Sequence, residues 1–294
     1  MEANLHSPVK LPTTMELDME PDEESDFFVN FTSATQYIGS TPSAIMRILN
    51  REMETTKMTL LVLFINVNPK FIETTPSKML PKSARISYNH KTRQMIVKLT
   101  GPAHGEVTGG ISAEVIRRVT LMSEILSEDL YPMNHGRIRG NAISKEPDWS
   151  VRPYTLPLGH HRVWPSIVLE TGVSENMNEL MKDARWWLSN SKGLVNMVLV
   201  VTVDQKIPHI TFRCVVITNT FARHTGITRY VCSTRHEMEQ TRDANGSVVT
   251  TNGPLVFHID ELFLRTPIAP ETDIIFSAQV MDRLASEVWK TLGI

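Results

Sequence analysis

Cysteine is scarce in this chain, and so is an excess of charge of either sign. Only Cys214 and Cys232 occur among the 294 residues. They could pair, but two thiols in a chain of this size are typical of a reduced protein without a disulfide framework. The formal net charge is −2, from 30 basic and 32 acidic residues. Because phosphate contacts dominate the affinity of proteins for long duplexes, nucleic-acid binding would need a local basic patch.

Long apolar runs and several familiar motifs are missing as well. The longest apolar stretch, residues 60–67, has the length of a buried strand, and no run of 18 apolar residues would span a membrane. The first ten residues lack the basic-then-apolar order of a secretory signal. There is no phosphate-cradling GxxxxGK[ST], no dinucleotide-binding GxGxxG after a strand and no GxSxG elbow. We therefore expect an intracellular protein, cytoplasmic or nuclear, with no membrane partner.

The first 26 residues differ in composition from the rest. Seven acidic residues between positions 16 and 26 have no basic residue among them. Such a segment buries too little apolar surface to offset the entropy lost on ordering, so residues 1–26 are predicted to be a disordered acidic tail. The alternative is an acidic peptide that docks a protein partner. Residues 27–294 are predicted to form a single domain.

The rest of the chain alternates between strand and helix patterns. Strand patterns cover residues 59–67, 85–88, 94–99, 136–143, 148–152, 166–170, 195–203, 209–218, 225–232 and 255–264. Helical patterns cover residues 42–54, 105–126 and 277–292, and a further helix begins at Asn176. This order predicts an α/β (α+β) fold with a mixed sheet flanked by helices.

Two carboxylates stand out within this pattern. Asp148 follows a proline, and Glu170 ends the apolar run Ile167-Val168-Leu169. Together with Trp164-Pro165 and the later segment Asp-Ala-Arg-Trp-Trp-Leu (183–188), they resemble fungal proteins of the PD-(D/E)XK restriction-endonuclease-like superfamily. The likeness covers roughly residues 85–203. It implies a nuclease-like core over about residues 59–205 and a C-terminal extension over residues 206–294.

The resemblance implies a role for four residues. Asp148 and Glu170 match the acidic ligands of a divalent metal, the carbonyl of Thr171 matches the backbone ligand, and Glu114 matches a more variable helical acid. Oxygen ligands of this kind suit Mg²⁺ or Mn²⁺, which would stabilise charge on a phosphate and help to ionise a water. The implied partners are a nucleic acid and, because superfamily members often pair, a second copy of the chain.

One departure from the motif is large. The lysine expected two residues after the second acid is Gly172, and loss of one electrostatic donor costs about 10²–10³ in rate. Lys182 is the nearest replacement on the following helix. However, the helical wheel places it opposite the apolar stripe, as expected of a solvated surface lysine.

Each candidate also has a structural interpretation. Asp148 could simply begin a strand, and Glu114 could lie on the surface. Glu170 could form an internal ion pair, with Arg139 or Arg185 as its partner. Other side chains near the motif favour structural roles: His104 in the core or at a helix start, and Trp187 in the core with Trp186 exposed.

Three functions remain open on these grounds. The first is a Mg²⁺-dependent nuclease, and the second is a catalytically inactive interaction or scaffold protein of the same fold. The third is a small-molecule enzyme that reuses the carboxylates, since fold does not determine function. A basic surface beside Asp148 and Glu170 would favour the first function, and a neutral or apolar surface there would favour the others.

Overall fold

The computed structural model describes residues 17–18, 27–28, 34–38, 41–55, 59–74, 80–133, 136–173, 175–222 and 228–294. Of the predicted acidic tail, only Leu17–Asp18 forms part of an element in these ranges, a short strand paired with residues 231–232. The rest of the acidic run lies outside the described residues.

Strands are the most numerous elements of the described chain. They are β1 (Leu17–Asp18), β2 (Thr35–Ile38), β3 (Leu60–Ile65), β4 (Ala84–Asn89), β5 (Gln94–Leu99), β6 (Leu130–Pro132), β7 (Ile138–Arg139), β8 (Ile143–Lys145), β9 (Trp149–Pro153), β10 (Ile167–Val173), β11 (Met197–Val203), β12 (His209–Ala222), β13 (Thr228–Arg242), β14 (Val248–Thr251), β15 (Val256–Phe257) and β16 (Ile274–Ile275).

Helices pack on these strands. They are α1 (Pro42–Thr55), α2 (Pro69–Thr74), α3 (Pro102–Met122), α4 (Glu124–Asp129), α5 (Met177–Asn190), α6 (Ile259–Phe263) and α7 (Ala278–Leu292). No helix among the described residues is long and apolar enough to cross a bilayer.

Two larger sheets and one strand pair organise the fold. The eight-stranded sheet runs β1-β13-β12-β11-β10-β9-β6, with β14 beside β13, and the six-stranded sheet runs β2-β3-β5-β4-β8-β7. Within the eight-stranded sheet only β10 and β11 are parallel. Every residue of β10 is buried, as expected of a strand covered on both faces.

The eight-stranded sheet has a separate hydrophobic cluster on each face. One cluster joins the sheet to the long helices α3 and α7. The other joins it to α5 and to strands β3, β5, β7 and β8 of the six-stranded sheet. Cys214 belongs to the first cluster and Cys232 to the second, and both are free thiols. Because the two thiols point to opposite faces, they cannot form the pair left open by the sequence.

The predicted α/β (α+β) class, a mixed sheet flanked by helices with additional C-terminal strands and a helix, is confirmed. Four details were wrong. Residues 136–143 are not one strand, because β7 ends at Arg139 and β8 begins at Ile143. Residues 255–264 are not one strand, because β15 is followed directly by α6. The predicted helix over residues 105–126 is interrupted at Ser123, whose backbone is extended at φ −166°. Trp186, expected to be exposed, is fully buried beside Trp187.

Candidate functional site

The pairing of β9 with β10 brings the two predicted carboxylates together. Leu169 pairs with Trp149 in antiparallel register. Glu170 on β10 and Asp148, which directly precedes β9, come next in this register and therefore lie side by side. Both side chains are 1% exposed.

Three groups that can donate hydrogen bonds lie around the carboxylate of Asp148. Its Oδ2 accepts from the backbone N–H of Thr171 at 2.8 Å and from Nζ of Lys98 at 2.9 Å, and Nε2 of His104 lies 3.0 Å away. Burial opposes its charge, but His104, Lys98 and the Thr171 N–H outweigh burial, and the pKa of Asp148 lies well below its usual range. Burial also lowers the pKa of His104. Lys98 places an ammonium against this carboxylate as well.

Lys98 reaches this site from β5 of the other sheet. Its ammonium contacts three oxygens: Asp148 Oδ2 at 2.9 Å, the carbonyl oxygen of Thr171 at 2.6 Å and Glu175 Oε1 at 3.3 Å. Burial opposes its charge, but the neighbouring carboxylates outweigh burial and raise the pKa of Lys98. Lys98 is therefore a buried, fully charged ammonium.

Glu170 belongs to a second buried cluster. Its Oε1 accepts from the indole Nε1 of Trp187 at 2.5 Å and lies 3.3 Å from Nζ of Lys145. Lys145, at the end of β8, also lies 3.0 Å from Oδ2 of Asp183 on α5. Burial raises the pKa of Glu170 to about 8, although Lys145 acts in the opposite direction. Burial therefore favours the protonated form of Glu170.

These groups come close to neutralising one another. Burial also raises the pKa of Glu175 to about 7. Burial favours the protonated form of both Glu170 and Glu175, and the ion pairs Lys98–Asp148 and Lys145–Asp183 are each neutral.

The cavity between these side chains is small and closed by the six-stranded sheet. Its volume is about 20 Å³, enough for roughly one water molecule. Its lining comes from both sheets and from α5: Leu61, Arg85, Ser87, Ile96, Lys98, Lys145, Glu146, Asp148, Glu170, Glu175 and Asp183. Asp148 and Glu170 are therefore not exposed on the surface of the protein.

Two sequence candidates lie away from this cavity. Glu114 binds Arg117 and Arg118 through hydrogen bonds of 2.7 Å and lines a different cavity, between α3 and α7. Lys182 is half-buried on α5 and is not among the lining residues. The structure thus brings together Asp148, Glu170 and Thr171 but not Glu114 or Lys182.

The position of the missing motif lysine has no room for a side chain. A Cβ atom on Gly172 would lie 2.4 Å from Cδ1 of Leu180 and 2.9 Å from Cβ of Glu175. Lys98 and Lys145 supply the positive charge instead. Sequence reasoning missed both lysines, although Lys98 interrupts an apolar strand and Lys145 comes three residues before Asp148.

The predicted metal ligands do not fit a divalent ion as they are arranged. Lys98 occupies Asp148 Oδ2 and the Thr171 carbonyl, while Glu170 Oε1 is bound by Trp187. Mg²⁺ needs near-octahedral coordination and keeps several waters, for which the cavity is too small. Within the part of the chain that the structure describes, no group of three or more His, Cys, Asp or Glu side chains is arranged to hold a metal ion.

Comparisons with known proteins give little beyond this geometry. No protein-family model matches the chain, and no curated protein does. One similar solved structure is the crystal structure of a "putative nuclease belonging to DUF820" from Anabaena variabilis, which is 10% identical, with 70% of this chain and 90% of that chain covered. The TM-score of 0.36 is too low to establish a shared fold.

Proposed function

We propose that this chain is a catalytically inactive protein of nuclease-like fold that acts by binding a partner. The observation that carries the proposal is the contact of the Lys98 ammonium with the carboxylate of Asp148 and the carbonyl of Thr171. Both oxygens would be needed to hold a catalytic metal. The buried ammonium of Lys98 already balances the negative charge of Asp148.

Accessibility supports the same proposal. A phosphodiester must reach the metal and the attacking water, but Asp148 and Glu170 are 1% exposed and the cavity holds about one water. Leu61 and Ile96 of the six-stranded sheet lie over the carboxylates and are themselves part of a shared hydrophobic cluster. Opening the site would separate that cluster from the eight-stranded sheet.

The test is a cleavage assay on single- and double-stranded DNA and RNA with Mg²⁺ or Mn²⁺. We expect no cleavage above that of the Asp148→Ala/Glu170→Ala variant, which controls for contaminating nuclease. Metal-dependent cleavage by the wild type that disappears in this variant would overturn the proposal.

A metal-dependent nuclease is the second candidate, and one observation favours it. Oδ1 of Asp148 and Oδ1 of Asp183 are buried without a hydrogen-bond partner among the described residues, as expected of atoms awaiting a ligand. In that case Asp148, Glu170 and Thr171 would hold Mg²⁺ or Mn²⁺ once Lys98 moved aside, and Lys98 or Lys145 would replace the motif lysine. The same cleavage assay decides between the two candidates.

A further inference from the structure

The ammonium of Lys98 has the surroundings of a bound metal ion. Its three contacts are a carboxylate of Asp148, the carbonyl of Thr171 and the carboxyl of Glu175, at 2.6 to 3.3 Å. Carboxylate and carbonyl oxygens are the ligands that hard divalent cations prefer. The Lys98 side chain is 8% exposed, so water contributes little to its solvation.

The cation and its oxygens come from different parts of the fold. Lys98 lies on β5 of the six-stranded sheet, whereas Thr171 and the segment before β9 that holds Asp148 belong to the eight-stranded sheet. Shortening Lys98 would therefore remove the cation and leave the backbone that places the oxygens unchanged. Replacing it with alanine would also vacate the volume of three methylene groups and the ammonium beside the existing cavity.

An additional oxygen is already in place for a replacement ion. Oδ1 of Asp148 is buried with no hydrogen-bond partner among the described residues. With Lys98 gone, the buried carboxylate of Asp148 would keep the Thr171 N–H and the imidazole of His104 beside it but would lose its ammonium partner. Such a charge is strongly unfavourable unless a cation replaces the ammonium.

We propose that the Lys98 ammonium stands in for a divalent cation, so that shortening Lys98 creates a site for Mn²⁺ or Mg²⁺. The ligands are Asp148, the carbonyl of Thr171 and Glu175. This inference rests on the proposed inactivity, because an enzyme that binds metal in its wild-type form would already hold the ion there.

The experiment compares metal binding by Lys98→Ala and the wild type. Thermal unfolding is followed in EDTA and in millimolar Mn²⁺, together with calorimetric titration of Mn²⁺ into each protein. We expect an unchanged Tm and no binding heat for the wild type. For Lys98→Ala we expect a lower Tm in EDTA, a rise of about 2–4 °C in Mn²⁺, and binding of one ion.

Two control variants locate the ion. Lys145→Ala removes the other buried lysine, which contacts Glu170 and Asp183 but no ligand of the proposed site, and it should gain no Mn²⁺ response. Adding Asp148→Asn to Lys98→Ala should abolish the response. A Lys145→Ala variant that gains the same response would show that the ion does not sit where Lys98 was.

Lys98→Gln is a second test variant, since its amide retains a hydrogen-bond donor and perturbs folding less. A Mn²⁺ response in either Lys98 variant supports the inference. Folded variants without a response overturn it, and so do variants that stay unfolded in Mn²⁺. Mn²⁺ binding by the wild type without cleavage overturns this inference alone, whereas metal-dependent cleavage by the wild type overturns the proposed function.

Discussion

Asp148 and Glu170 are equally buried neighbours, yet the pKa of Asp148 is lowered and the pKa of Glu170 is raised. Asp148 receives a backbone N–H and an ammonium on a single oxygen, so its charged form is favoured. Glu170 has an indole N–H and a more distant lysine, and burial dominates. Environment rather than residue type therefore decides which carboxyl is ionised.

The protonation of Glu170 predicts a pH-dependent stability. Its pKa rises from 4.5 to about 8 on folding, so the folded protein binds this proton more tightly. The stabilisation is complete below pH 4.5 and is lost as pH rises towards 8, with a slope of at most about 1.4 kcal/mol per pH unit. In urea denaturation, the free energy of unfolding should fall less steeply between pH 5 and 8 for Glu170→Gln than for the wild type.

Glu128→Gln, a change at an exposed position, is the control for this titration and should follow the wild type. Equal slopes for Glu170→Gln and the wild type would contradict the assignment of a proton to Glu170.

Gly172 predicts a steric penalty. The Cβ of Gly172→Ala would overlap Leu180 and Glu175, and overpacking of this kind costs about 1–3 kcal/mol. Gly109→Ala is the matched control, because its Cβ would meet no atom within 4 Å in the exposed part of α3. That change should stabilise the protein by up to about 1 kcal/mol. Chemical denaturation of both variants measures the difference, and equal stabilities would show that Gly172 has room for a side chain.

At the scale of elements, Ser123 separates two helices where the apolar pattern predicted a single one. Its extended backbone ends α3, and its hydroxyl accepts from the N–H of Leu126 at the start of α4. The stripe from Val107 to Leu126 continues across the break, since both helices bury their apolar residues in the same cluster. Periodicity therefore identified the buried face and missed the interruption.

Ser123→Ala is expected to lower the free energy of unfolding by about 0.5–2 kcal/mol, the usual cost of losing a helix N-cap. Ser123→Asp keeps an oxygen acceptor and should retain most of the stability. Thermal or urea denaturation of the three proteins tests this, and an unchanged Ser123→Ala variant would mean that the cap contributes nothing.

The sequence predicted the elements well but only half of the candidate site. The apolar strands around Glu170 and the hairpin of β4 and β5 follow from composition and turn residues. The register that sets Glu170 beside Asp148 was implied by the family resemblance. The partners Lys98 and Lys145 come from a different sheet, and contacts between sheets leave no local pattern in the sequence. Glu114, placed by analogy, lies at a different cavity, between α3 and α7.

At the scale of the whole molecule, the two large sheets are held together by shared apolar packing and by buried ion pairs. The cluster around Trp187 includes Leu63 and Ile143 of the six-stranded sheet, and Lys98 and Lys145 reach across to Asp148 and Asp183. The two sheets cannot separate without exposing apolar surface to water and breaking these ion pairs. We therefore expect the described parts of the two sheets to unfold as a unit.

Spectroscopy can test this cooperativity, because all five tryptophans lie on or beside the eight-stranded sheet or in helices packed on it. Unfolding followed by tryptophan fluorescence should coincide with unfolding followed by far-UV circular dichroism, which reports both sheets. Asp148→Asn should shift both curves together, with a loss of about 3–5 kcal/mol for depriving the buried Lys98 of its closest carboxylate. Separate transitions in the wild type would contradict a single unit.

The tight packing at Gly172 also bears on the history of the chain. The side chain of Leu180 and the Cβ of Glu175 fill the space that the first carbon of a lysine stem would take. Restoring a lysine at this position by one substitution would therefore damage the packing of α5 against β10 before it could assist any reaction. If an ancestor of this chain once used that lysine, its loss is hard to reverse, because a lysine at position 172 would also require changes in the side chains packed against it.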